Sequence, residues 1–308
     1  MKICSLLPSA TEILFALGLG DQVVGVSHEC DFPPVARGKP VLIKSRVSHT
    51  ESAAEIDRQV REFLARSESL YSVDFEMLAA IEPDLIVTQD LCHVCAATPN
   101  DLASALAHLR RQPRVVTLNP HSLADVRADI RSVGEATGRV EEANSVVAQF
   151  EHDVEQVERE VAGLPHRRVV CLEWLDPPYV AGHWVPEMVA RAGGIDLLGR
   201  AGNPSFRVEW EDVLAAQPEV ILIMPCGYSL EHASAEFRKM PLPRGWEDLP
   251  AVKNRAVYVV EASGYFSRPG PRLAMGMKIL ADAIHSGSRE RPAVSGDVLL
   301  ARVAGAGE

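Results

Sequence analysis

Five side chains in the first third of this chain combine thiol and imidazole chemistry: His28 and Cys30 in "SHEC", and Cys92, His93 and Cys95 in "LCHVC". Thiolate and neutral imidazole donors suit zinc, iron or copper, and a C-x-x-C pair also suits a reversible disulfide. A lone C-x-x-C with no second copy leaves three readings open: a metal site, a Cys92–Cys95 redox pair, or ordinary loop packing. Both segments follow short apolar runs, so they sit where strands hand over to loops.

Other chemistries have less to stand on. No Ser or Cys lies on a strand-to-helix elbow with a paired His and acid, and no GxGxxG or Walker-type phosphate loop occurs. A binding protein is therefore expected, with no catalytic residue and no catalytic cofactor. The 308 residues carry 31 basic and 42 acidic side chains, a net charge of -11, which argues against a nucleic-acid surface. Six cysteines are too sparse for a disulfide scaffold, and Cys4 and Cys171 sit in apolar runs where a buried thiol is expected. "MKICSLLPSATEILFALG" lacks the long apolar core and cleavage site of a signal peptide. The expectation is cytoplasmic for the chain as written, and periplasmic or cell-surface if its start is trimmed. No segment reaches the roughly 18 uninterrupted apolar residues of a membrane span.

The elements that position these groups follow from an internal repeat. Displaced by 135 positions, "VDFEMLAAIEPDLIVTQ" at 73–89 falls on "VEWEDVLAAQPEVILIM" at 208–224. Each copy reads as a helix, a Pro stop and a buried strand. A weaker echo pairs 11–25 with 186–199, each following a strand and a loop. Ser9-Ala-Thr-Glu12 reads as a capping box at the first helix. Strands are expected at 2–6, 22–26, 84–88, 114–118, 167–172, 219–223 and 256–260. "RVEEANSVVAQFEHDVEQVEREVAGL" (139–164) is one long amphipathic helix, with Val140, Ala143, Val147, Phe150, Val154, Val157 and Val161 on its apolar face. The fold class is α/β: two similar α/β lobes with mainly parallel sheets, joined by one long helix. The expected organisation is an N-terminal lobe over 1–120, a connecting region over 121–165, a C-terminal lobe over 166–286 and a tail over 287–308. Ligands of such sheets sit outside the carboxyl ends of the strands, so a cleft between the lobes is expected.

The segments after strand ends concentrate polar, sulfur and aromatic groups beside Pro and Gly turns: 5–12, 27–34, 88–99, 173–184, 224–229 and 261–270. Trp174, Tyr179, Trp184, Tyr265 and Phe266 offer flat faces to a planar ligand, or else pack the lobe. Glu76 and Glu211 occupy the same place in the two copies of the repeat. Each is in a first helical turn, where the dipole alone favours a carboxylate, and the pair also suits docking to a two-fold basic partner.

"LLPSATEILFALGLGDQVVGVS" followed by "ECDFPP", with "IEPDLIV", the late "GYFSRPGPR" and the long helix, resembles the helical-backbone substrate-binding proteins of ABC importers, closest to the cobalamin-binding branch, over about 2–285. The resemblance implies a corrinoid, cobalamin, as bound ligand, an ABC permease as partner for a monomeric protein, and Glu76 and Glu211 as docking groups. Ligand contacts are then expected from Ser9, His28, Glu29, Cys30, Gln89, Cys92, His93, Cys95, Trp174, Tyr179, Tyr265 and Phe266. Glu29 and Gln89 stand where the branch carries aromatic contacts, and 44–71 is a longer insertion with a helix whose face holds Ile56, Val60, Phe63 and Leu64. Haem, a siderophore or a metal are the alternative ligands, and His28, Cys30, Cys92, His93 and Cys95 the alternative metal or redox set.

Overall fold

A computed structural model of the chain describes residues 1–47, 52–66, 68–89, 106, 109–286 and 300–302. The described residues of Met1–Glu51, Glu55–Pro120 and Ala124–Gln149 form one compact unit, and those of Ser52–Ala54, His121–Leu123 and Phe150–Glu308 form a second.

The sheet of the first unit contains β1 (Ile3–Ser5), β2 (Val23–Ser27), β3 (Val41–Ser45), β4 (Tyr71–Val73), β5 (Leu85–Gln89) and β6 (Arg114–Leu118), in the order β4-β3-β2-β1-β5-β6. Its pairs are parallel except β3 with β4. In β1 and β5 every residue is buried, as a parallel sheet covered on both faces requires. The second unit holds β7 (Arg167–Leu175), β8 (Pro178–Val180), β9 (Gly194–Asp196), β10 (Phe206–Arg207), β11 (Val220–Ile223), β12 (Val257–Val260) and β13 (Leu300–Arg302). Parallel β7, β11 and β12 form its centre, β9 runs parallel to β7, and β8, β10 and β13 are added antiparallel.

The seven expected strands all form, within a few residues at their ends. β3, β4, β8, β9, β10 and β13 were not expected; they are short and most lie toward sheet edges, where the hydrophobic pattern is weakest. The α/β class with two sheets is what the structure has; the first sheet is mainly parallel as expected, but in the second, β8, β10 and β13 are paired antiparallel, so only its centre and β9 are parallel.

The repeat is visible as geometry. Helices Phe75–Ile81 and Trp210–Ala216 are each seven residues long, and each ends on a left-handed residue, Glu82 or Gln217. Asp74 caps the first by accepting from the Met77 amide at 2.9 Å. At the second, the Asp212 carboxylate accepts from the Glu209 amide at 2.9 Å.

The capping box at Ser9 and Glu12 does not form. Pro8 opens the helix Pro8–Ala16, since its fixed φ and missing N–H suit the first helical position, and Leu7 is the cap residue. Ser9 and Glu12 therefore lie inside the helix, 2% and 4% exposed. The long helix spans Val140–Val161, its residues to Gln149 in the first unit and from Phe150 in the second. Its expected apolar face is buried apart from Val140, which is exposed at the first turn. Helix Ala53–Ala65 forms within 44–71, with Ile56 buried and Val60 and Phe63 half-buried, but Leu64 points to solvent. Among the described residues no helix is long and apolar enough to cross a membrane.

Candidate ligand-binding groups at the strand ends

At the carboxyl edge of the first sheet, β1, β2 and β5 end on buried polar residues Ser5, Ser27 and Gln89. The Thr11 hydroxyl is 2.7 Å from Ser5 Oγ and 3.0 Å from Cys30 Sγ, which also lies 3.3 Å from Ser27 Oγ. A hydroxyl has one hydrogen to give, so these four groups share donors and acceptors in a small network that ties the loop after β2 to helix Pro8–Ala16. Cys30 is 3% exposed and held inside that network. Ser9, in the first turn of the same helix, is buried, and its Oγ makes no hydrogen bond.

His28 is anchored to β3: its amide and its Nδ1 approach the Ile43 carbonyl at 2.9 and 3.2 Å, and its ring lies 6.2 Å from Tyr71. Glu29 is half-buried on the same turn. Cys92, His93 and Cys95 lie outside the described residues. Among the described residues, no group of three or more His, Cys, Asp or Glu is arranged to hold a metal ion. Burial raises the Cys4 thiol to about 12 and pushes Cys171 up as well, which keeps both protonated.

The second unit carries a series of stacked rings at its carboxyl edge. Trp174, near the end of β7, meets Tyr228 edge-on at 5.3 Å, and Tyr228 stacks on His232 at 4.0 Å with the planes 3° apart. Tyr228 belongs to the loop after β11, and His232 to the first turn of helix Leu230–Lys239, where its amide donates to Ser229 Oγ at 3.2 Å. The Tyr228 ring is 3% exposed, and its hydroxyl makes no hydrogen bond. Burial, with the Glu236 carboxylate second, raises that phenol to about 12, so it stays protonated. Trp174 Nε1 donates to the Ala53 carbonyl at 3.2 Å, a residue of the segment that packs with this unit.

Tyr179 pairs with Trp174 across the β7–β8 hairpin, putting both rings on one face, and both are half-buried. Tyr265 is half-buried with the Arg272 guanidinium 5.3 Å from its ring centre. A Cβ on Gly276 would overlap the Tyr265 carbonyl, so glycine is what lets helix Leu273–Ile284 approach this segment. Trp184 and Phe266 serve the core: they are 4% and 2% exposed, and Trp184 Nε1 donates to the Phe266 carbonyl at 2.8 Å. A fully packed ring has no face left for a ligand, so Phe266 is a structural residue here.

Tyr228 and His232 were not among the sequence candidates. The signal was present, since "MPCGYS" follows a strand, but the register that stacks Tyr228 against Trp174 is a tertiary fact. Glu76 and Glu211 are exposed and hold the same position, the second residue of their helices. The half-buried aromatic faces of the second unit are equipped to stack on a planar ligand.

Residues 3–263 match the family model described as "Periplasmic binding protein". The vitamin B12-binding protein of Vibrio cholerae serotype O1 is 27% identical over 277 residues, covering 88% of this chain and 84% of the relative. An uncharacterized ABC transporter substrate-binding lipoprotein of Bacillus subtilis is 26% identical over 294 residues, covering 92% and 80%. Among solved structures, the periplasmic haem-binding protein RhuT from Roseiflexus sp. RS-1 in apo form superposes with a TM-score of 0.69 at 27% identity, covering 92% of this chain and 97% of that one.

Proposed function

The chain belongs to the periplasmic binding protein family, and from that premise we propose that it is the substrate-binding component of an ABC-type importer, with a corrinoid, cobalamin, as its ligand. The observation that carries the ligand reading is the pair of half-buried rings Trp174 and Tyr179, placed on one face of the β7–β8 hairpin in the second unit. Aromatic faces supply affinity to a macrocycle by desolvation and stacking. The vitamin B12-binding relative supports the same choice.

Glu76 and Glu211 are the docking groups on this reading, each presenting an exposed carboxylate to a basic site on a permease. An importer component works outside the cytoplasmic membrane, in the periplasm or at the cell surface. A haem reading has its own support in the likeness to a haem-binding structure at the same identity. Equilibrium titration with cyanocobalamin, haemin and a ferric hydroxamate separates these readings. The corrinoid should bind tightest; tighter binding of haemin or the hydroxamate would replace the proposed ligand.

A further inference from the structure

Two histidine rings approach each other within the second unit. His121 belongs to the short segment His121–Leu123 that packs as part of this unit. Its ring centre lies 5.5 Å from that of His183, with the planes tilted by 42°. Two imidazoles that share one tetrahedral metal ion, at about 2.0 Å per bond, have their ring centres about 5 Å apart. The observed spacing therefore needs only a small adjustment to admit an ion.

We propose that His121 and His183 form a two-histidine site for a divalent transition-metal ion, with the remaining coordination positions open to water or an exogenous donor. The backbone of His183 is fixed for the purpose. It sits at φ 51°, a conformation that costs a non-glycine residue free energy, held by the His183 amide donating to the Asn203 carbonyl at 2.6 Å and the Gly202 amide donating to the His183 carbonyl at 2.9 Å. Its ring stacks on Trp184 at 5.5 Å, and its Nδ1 is buried without a hydrogen bond.

The donor set selects the ion class. Glu187, the carboxylate placed near this segment, is already engaged: it accepts from the Leu123 amide at 2.9 Å and pairs with Arg191 at 3.2 Å. No third His, Cys, Asp or Glu completes the pair among the described residues. Imidazole nitrogen alone favours cobalt, nickel, copper and zinc over magnesium and calcium.

Cobalt(II) is the probe, because thiolate ligation gives it an intense charge-transfer absorption that nitrogen ligation lacks. That band separates this pair from any binding by Cys92 and Cys95. The expected result is one cobalt per chain without the thiolate band, quenching of Trp184 emission, and at least tenfold weaker binding in His121→Ala and His183→Asn. Asparagine tolerates the left-handed backbone, so the second variant keeps the fold; a thermal melt checks both. Absence of cobalt binding, binding unchanged in both variants, or binding carried wholly by the thiolate band would overturn the proposal. Corrinoid binding by the same variants is measured separately and bears on the proposed ligand alone.

Discussion

Glu82 and Gln217, 135 positions apart, end their helices in the same left-handed conformation, at φ 48° and 49°. The acid two residues later repeats as well: the Asp84 carboxylate accepts from the Lys2 amide at 2.8 Å, and the Glu219 carboxylate accepts from the Arg168 amide at 3.0 Å. Each copy of the repeat thus delivers its strand, β5 or β11, beside the strand that opens its unit, β1 or β7. One local solution has been used twice to start a parallel pair.

That conformation is open to test. Glu82 is exposed and carries a β-carbon where glycine is favoured. Glu82→Gly should raise stability to denaturant by about 0.5 kcal/mol, the relief of backbone strain exceeding the added freedom of the unfolded chain. Loss of stability would show that the Glu82 side chain holds the helix end.

Asp196 gives the second unit a pH dependence. Burial raises its carboxyl to about 6, even though Oδ1 accepts from the Gly199 amide at 2.7 Å and the Leu198 amide at 3.1 Å. The folded state therefore holds a proton that the unfolded chain releases near pH 4. Its contribution is complete below about pH 4 and is lost as pH rises through about 6, by up to about 2 kcal/mol after solvent screening. Asp196→Asn keeps the acceptor and removes the titration. The gap in melting temperature between wild type and variant should change across pH 4 to 7; a constant gap would refute the assignment.

Tyr228 contributes through its ring. Its hydroxyl has no partner, so Tyr228→Phe should leave the melting temperature unchanged or raise it. Tyr228→Ala removes a buried ring from between Trp174 and His232 and should cost about 3–5 kcal/mol. A Phe variant destabilised by more than about 1 kcal/mol would mean that the hydroxyl is bonded in solution.

Glu76→Arg combined with Glu211→Arg should leave ligand affinity unchanged and abolish association with a permease in a pull-down from membranes. Both residues are exposed first-turn acids, so their reversal touches no core contact. Collapse of ligand affinity would remove them from the docking role.

Much of the frame was legible because it is local. The apolar runs of β1, β5, β7, β11 and β12 and the period of helix Val140–Val161 are written in consecutive residues. The cap at Ser9 was misread because the capping-box pattern and a first-turn proline compete for the same helix start, and Pro8 wins. Edge strands such as β9 and β10, three and two residues long, leave almost no periodicity to read. Trp174 was identified as an aromatic face, but its partner Tyr228 lies 54 residues away and is brought to it only by the β7–β11 pairing. His121 and His183 meet in the same way, with nothing in either neighbourhood announcing the other.

The central claim is a corrinoid-binding protein, and the retained ligand tests it most directly. Protein is incubated with an equimolar mixture of cyanocobalamin and haemin, desalted, and its absorption spectrum recorded beside an analysis of bound cobalt and iron. One corrinoid per chain is expected, seen as retained cobalt with the corrinoid spectrum. Retained iron with a haem spectrum, or a colourless protein, would contradict it.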